Sequence, residues 1–215
     1  MTTYRRPSFI VLLALSAVLA LGACSAPPSP TPPPMEQGVT ADGYPYQGSL
    51  QAPIMIVEFS DYQCPACVAH FQETLPQLRE QYIRSGKVAY VFRQLPNPAH
   101  ANAFAAAEAS LCAADQGQFW VVHDRLFETH AQWGAADAPA AFFGQMAQEL
   151  GLDRARFDAC LSEHQAAARV DDDVLAAYSR GARGTPFFLI QGLPLTGGYP
   201  FAEFQALIEA GLPKQ

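Results

Sequence analysis

The chain has 215 residues, half of them hydrophobic, which is enough to bury a sizeable core. Its 13 Lys and Arg stand against 20 Asp and Glu, a net charge of −7. With no basic patch and no internal repeat, that balance argues against a nucleic-acid partner, which needs clustered cations to displace counterions from phosphates.

The N-terminus reads as an export signal. Arg5 and Arg6 precede an apolar stretch of thirteen residues, Phe9 to Leu21, too short for a comfortable membrane span and suited to a secretory leader over residues 1–23. The stretch ends in Leu21-Gly22-Ala23-Cys24, which resembles the lipobox of bacterial lipoproteins. That resemblance implies cleavage before Cys24 and its lipidation; the alternative is an ordinary signal peptide with Cys24 spare. The arginine pair fits a twin-arginine signal poorly, because Pro-Ser-Phe-Ile follows it. Six prolines fall between Pro27 and Pro34. Such a run is stiff and extended, so residues 24–51 are expected to form a tether that lifts a domain off a membrane. Loss of the leader leaves eleven basic against twenty acidic side chains, a net of −9.

The folded part then begins. Ile54 to Ser60 predicts a buried strand. A helix is expected to open with Pro65 at its first position, where a missing N–H costs nothing, and Val68, Phe71, Leu75, Leu78 and Tyr82 give it one apolar face. Pro76 is expected to kink that helix, and Gly86 to follow its end. Val88 to Phe92 predicts a second strand, parallel to the first by a right-handed crossover. Residues 99–182 change character: helical patterns cover Ala101 to Ala114, Phe119 to His130, Ala140 to Leu150 and Ala166 to Arg180. A short helix is capped by Asp153. Asp171-Asp172-Asp173 reads as a solvated face or a helix start. Strands return at Phe187 to Ile190 and Leu193 to Thr196, joined by a tight turn at Gln191-Gly192, and Phe201 to Ala210 predicts a closing helix. The order β-α-β, helical insertion, β-β-α is an α/β fold, with residues 52–98 and 183–215 flanking the insertion.

The chemistry centres on Cys64-Pro65-Ala66-Cys67, which stands between the first strand and its helix. Two thiols three residues apart at a helix start can close a disulfide, and the first lies at the positive end of the helix, where a thiolate is stabilised. A structural disulfide or half of a zinc site are the alternatives. No second Cys-x-x-Cys completes a metal cage. In an exported chain disulfides persist; with Cys24 assigned to lipid and Cys64/Cys67 to chemistry, Cys112 and Cys160 remain to bond each other. They lie 48 positions apart, and such a bridge stabilises by roughly 4 kcal/mol in the chain-entropy model. Glu58 is unexpected in a buried strand: either it is a buried acid, or it reaches water at the strand's end. His70, His100, His123, His130 and His164 are scattered, so neither a metal nor a cofactor is assigned. Trp120 and Trp133 read as packing residues.

These features together resemble the DsbA-like thiol–disulfide oxidoreductases, a thioredoxin fold with an inserted helical domain. Val57 to Cys67 looks like that family's active-site strand and turn, and Gly184-Thr185-Pro186-Phe187-Phe188 like its cis-proline segment. Gln116 to Trp120 with Leu126-Phe127 resembles its helical-domain signature, as does Leu150 to Asp153 with Phe157 and Cys160. The resemblance covers the chain from about Ala52 to the end. It implies that Cys64 is the nucleophile and Cys67 the buried resolving thiol, that Glu58 manages the proton of Cys67, and that Pro65, Ala66, Thr185 and Pro186 meet an extended substrate strand. Thr185–Pro186 is then a cis bond; an ordinary trans proline is the alternative. The family's best-known oxidants carry His where Ala66 stands, and alanine cannot help stabilise a neighbouring thiolate.

The implied partners are exported proteins with free thiols and a membrane redox partner that reoxidises the site. The protein is expected to be a monomer outside the cytoplasm, held to a bacterial membrane by its lipid. Competing functions are a disulfide reductase or isomerase, or a metallochaperone holding copper(I) or zinc on the two thiolates.

Overall fold

The computed structural model describes residues 1–3 and 34–213. The rest of the leader, Cys24 and the proline run as far as Pro33 lie outside the described residues. Among those described, a six-stranded sheet runs in the order β1-β2-β4-β3-β5-β6. β3 (Ile54–Ser60) and β4 (Val88–Gln94) pair in parallel, and β5 (Phe187–Ile190) and β6 (Leu193–Thr196) extend β3 antiparallel. The β5–β6 turn places Gln191 at φ 52° and Gly192 at φ 81°. Two consecutive positive φ values give the turn a twist that matches its flanking strands.

Part of the expected tether belongs to this sheet. β1 (Gln37–Val39) and β2 (Pro45–Gln47) form a hairpin, and β2 docks antiparallel on β4 with Tyr46 opposite Val91. The Tyr46 carbonyl accepts a hydrogen bond from Trp120 Nε1 at 2.9 Å. Each strand is three residues long and contains a Gly or a Pro, so neither produces a period-2 pattern; pairing with the edge of β4 is what orders them.

The helix after β3 runs through residues 65–83. α1 (Pro65–Ala69) and α2 (Leu75–Leu78) alternate with two π-helical turns, His70–Thr74 and Arg79–Ile83. The effect expected of Pro76 thus takes the form of a widened turn just before it, where a proline ring would otherwise press on the carbonyl four residues back. Between β4 and β5 the chain is helical: α3 (Ala103–Ala114), α4 (Phe119–Glu128), α5 (His130–Trp133), α6 (Pro139–Glu149), α7 (Arg154–Ser162) and α8 (Ala167–Ser179). Asp153 caps α7 by accepting the Arg156 N–H at 3.0 Å. α9 (Phe201–Gly211) closes the fold.

One apolar cluster joins the α1 side of the sheet to the interior of the insertion, from Ile54, Ile56 and Phe92 to Phe127, Trp133, Phe143 and Phe157. Truncating any of these aromatics to alanine is expected to cost about 3–5 kcal/mol. A smaller cluster, with Phe59, Phe187, Leu189 and Ala177, lies under α8 on the opposite face. There the aspartate run departs from expectation. Asp171 and Asp172 are exposed, but Asp173 is buried inside α8. It pairs with Arg93 Nη2 at 2.6 Å and accepts the Gln94 N–H at 2.8 Å. The Arg93 guanidinium lies 4.0 Å from the Tyr44 ring centre, so this ion pair is shielded from water, and breaking it would strand a buried charge.

Candidate active site

β3 delivers its polar side chains to the α1 side of the sheet. Residues of one parity share a face, so Glu58 and Ser60 stand beside Ile54 and Ile56 under the first helix. The following loop is held by Asp61, whose side chain is fully shielded from solvent. Its Oδ1 accepts the Gln63 N–H at 2.7 Å, and its Oδ2 accepts the Asn97 N–H at 2.8 Å and lies 2.7 Å from His100 Nδ1. Gln63 ties this loop to the insertion: its Nε2 donates to the Gly134 carbonyl at 2.7 Å, and its Oε1 accepts the Asn102 N–H at 2.6 Å.

Cys64 is the N-cap of α1, with extended backbone and Pro65 next to it. It is 9% exposed, and Cys67, one turn on, is fully buried. Both are free thiols. The Cys64 sulfur lies 3.4 Å from the Thr185 carbonyl. The Thr185–Pro186 bond is cis, which puts that segment directly against the cysteine. Ala66 packs near Gly198, where an added Cβ would meet the Ala66 carbonyl at 3.3 Å.

The electrostatics separate the two sulfurs. The Cys67 thiol, the Thr185 hydroxyl and the N–H groups of Cys67 and Ala66 favour a Cys64 thiolate against the cost of burial, bringing its pKa down to about 5. Burial, the bond to Cys64 and the nearby Cys64 and Glu58 charges push Cys67 well above the usual thiol range. Glu58 is a buried acid at 2% exposure. Burial raises it to about 7, opposed by the hydrogen bond from Tyr90, by the nearby Ser60 hydroxyl and by the Arg79 charge. At neutral pH the site therefore holds one thiolate, one thiol and one carboxyl near its midpoint.

The structure also brings in residues that the sequence reading left aside. The Tyr90 hydroxyl donates to Glu58 Oε2 and lies 3.0 Å from His70 Nε2. Arg79 makes two 2.8 Å bonds to Asp124 of α4 and one of 2.9 Å to Gln47 of β2. Two signals pointed this way. His70 stands three positions after Cys67 on the same helix, and Tyr90 is a hydroxyl inside an apolar strand, where it needs a partner. Cys112 and Cys160 lie apart from this site, bonded to each other between α3 and α7. Trp120 and Trp133 are buried in the apolar cluster.

A thioredoxin family model matches residues 40–210. Among solved structures, alpha-DsbA1 of Wolbachia pipientis superposes with a TM-score of 0.71 at 21% identity, over 80% of this chain and 92% of that one. Oxidised BdbD of Bacillus subtilis gives 0.70 at 22% identity, over 82% and 97%. These likenesses show the fold. Curated relatives include the Na(+)/H(+) antiporter NhaA 3 of Salinispora tropica, 34% identical over 75% of this chain, and the antiporter NhaA of Herminiimonas arsenicoxydans, 34% identical over 76%. The chain spans about a quarter of the length of these relatives, and no helix among its described residues is long and apolar enough to cross a membrane. With a family match over most of its length, the chain belongs to the thioredoxin family, and its fold, with a helical insertion, is the one these DsbA proteins share.

Proposed function

We propose that this protein is an extracytoplasmic thiol–disulfide oxidoreductase that oxidises thiols of exported proteins through Cys64 and Cys67. The observation that carries this reading is the pairing of a low-pKa Cys64 at a helix start with a buried, neutral Cys67. In the oxidised enzyme a substrate thiolate attacks Cys64, the Cys64–Cys67 bond breaks, and Cys67 leaves with the electron pair and takes a proton. A second substrate thiolate then attacks the substrate sulfur of the mixed disulfide and expels Cys64 as a thiolate. The substrate loses two electrons and the cysteine pair gains them. A stable Cys64 thiolate favours this last step, because a low-pKa thiol leaves readily.

Glu58 serves as the proton partner of Cys67, and Pro65, Ala66, Thr185 and Pro186 form the surface that meets the substrate strand. A membrane redox partner returns the pair to the disulfide. Cys24 carries the lipid that holds the protein to its membrane, a role supported by the lipobox-like Leu21 to Cys24. The second reading is a reductase, and Ala66 is the residue that favours it, since it removes one source of thiolate stabilisation.

Titration of the Cys64–Cys67 couple in glutathione buffers, followed by thiol labelling, decides between them. A potential well above that of thioredoxin, towards that of DsbA, is the expected result. A potential at or below that of thioredoxin replaces the oxidase with the reductase.

A further inference from the structure

Cys67 is sealed from water, so the proton it gains and loses in every cycle has to cross the protein. Glu58 is the nearby carboxyl whose charge acts on it, and the buried Ser60 hydroxyl, itself without a hydrogen-bond partner, stands close to both. Beyond Glu58 the polar contacts continue. Tyr90 commits its one proton to Glu58 Oε2, so the contact of 3.0 Å on its other side is donated by His70 Nε2–H. Three groups thus form a directed line, His70 to Tyr90 to Glu58. The far ring nitrogen, His70 Nδ1, is buried without a hydrogen-bond partner, and a buried polar atom left unanswered is costly. His70 also lines a cavity of about 320 Å³, together with Ala66, Glu73, Thr74, Gly198 and Tyr199.

We propose that Tyr90 and His70 relay protons between this cavity and Glu58, so that Cys67 is protonated and deprotonated without opening the core. The proposal rests on reading Cys64–Cys67 as the exchange site and Glu58 as the proton partner of Cys67. When the Cys64–Cys67 bond breaks, the Glu58 O–H bond breaks and the Cys67 S–H bond forms. In the same step the Glu58 carboxylate takes the Tyr90 proton, Tyr90 takes the proton of His70 Nε2, and Nδ1 binds one from cavity water. His70 passes from one neutral tautomer to the other. Before reoxidation the line runs backwards: Nδ1 returns its proton to the cavity, Glu58 is emptied through Tyr90 and Nε2, and Cys67 hands its proton to the carboxylate as its sulfur closes the disulfide. Each group ends as it began.

The surroundings suit a relay that never stores charge. β5 and α9 present Phe188 and Phe204 to the His70 ring, and burial together with the His123 charge lowers its pKa to about 3. The other titratable groups near the line are Cys67 and Arg79 from the first helix, Tyr62 after β3, and His123 with Asp124 from α4; Glu73 stands on the cavity wall.

The test is stopped-flow reduction of the Cys64–Cys67 disulfide in the folded chain by dithiothreitol, from pH 5.5 to 9. The parent is compared with Tyr90→Phe, His70→Gln and Glu58→Gln. His70→Gln keeps a donor for Tyr90 but has no second nitrogen to pass a proton on. Both relay variants are expected to react about tenfold more slowly near pH 7 and to lose the parent's pH profile. In the parent, the rate plotted against deuterium fraction is expected to bow, because several protons move together. Parental rates and pH profiles in both relay variants, with Glu58→Gln alone slow, would overturn the relay and leave Glu58 in its role. A straight deuterium plot in the parent would also overturn it. If Glu58→Gln reacts as fast as the parent, the reading of Glu58 fails and the relay with it.

Discussion

Two cysteine pairs lie within the same apolar cluster, and their surroundings differ in kind. Cys112 and Cys160 are bonded between two helices of the insertion, near Ala113, Phe157 and Leu161. Cys64 and Cys67 are free thiols at the start of a helix, one facing N–H donors and the Thr185 segment, the other facing a buried acid. The residue type is the same in both places. Helix ends, donors and carboxyls make a sulfur reactive, and an apolar setting makes it a staple.

Substitution gives the largest contrast. Cys64→Ser is expected to abolish oxidation of a reduced model peptide. The double variant Cys112→Ser/Cys160→Ser is expected to keep that activity while folded and to lose roughly 4 kcal/mol of unfolding free energy in urea. Activity in the first variant, or its loss in the folded second, would break the comparison.

Glu58→Gln sharpens it next. The folded pKa of about 7 lies above the ordinary 4.5. The protonated carboxyl's contribution is therefore full below pH 4.5 and is lost as pH rises through 7. The neutral glutamine should leave stability unchanged near pH 4 and raise it by up to about 3 kcal/mol at pH 8. Urea unfolding at both pH values checks this; a gap that does not open with pH would remove the buried acid from the account.

Thiolate absorbance of the reduced protein should rise with a midpoint near pH 5, the depressed value of Cys64. It should be missing at that pH in Cys64→Ser and unchanged in the insertion double variant. Because the shift is downward, the stability Cys64 adds to the reduced form is fully present above pH 9 and fades as pH falls through 5. The smallest effect expected is from Ala66→His. It should raise the reduction potential by about 30 mV in glutathione titration, equivalent to a tenfold gain in stability of the reduced form.

Much of this architecture was legible from periodicity and punctuation. The apolar runs of β3, β4 and β5, the Gln191-Gly192 turn and the Pro65 start each carry a local signal that tertiary contacts reinforce. The Cys112–Cys160 bridge followed from counting. What stayed hidden depends on distant partners. β1 and β2 are ordered by the edge of β4, and Asp173 is buried because Arg93, eighty positions earlier, meets it inside the fold. Tyr90 and His70 each look unremarkable alone; the sheet and the π-turned helix place them 3.0 Å apart. A one-dimensional pattern records propensity well and long-range pairing poorly.

The two bonds made by the Gln63 side chain decide how work is shared between the protein and whatever reacts with it. Joined to Gly134 and Asn102, the residue before Cys64 is riveted to the insertion, while Asp61 pins the same loop to the Asn97–His100 turn. The sulfur cannot swing out to meet a partner without tearing these bonds together. The exchange surface behaves as an anvil, and the bending is left to the incoming chain. On the proposed exchange role, the thiol that fits is one on a pliable segment still short of its final fold, which can lay its sulfur in line with Cys64, and not one locked inside a finished domain.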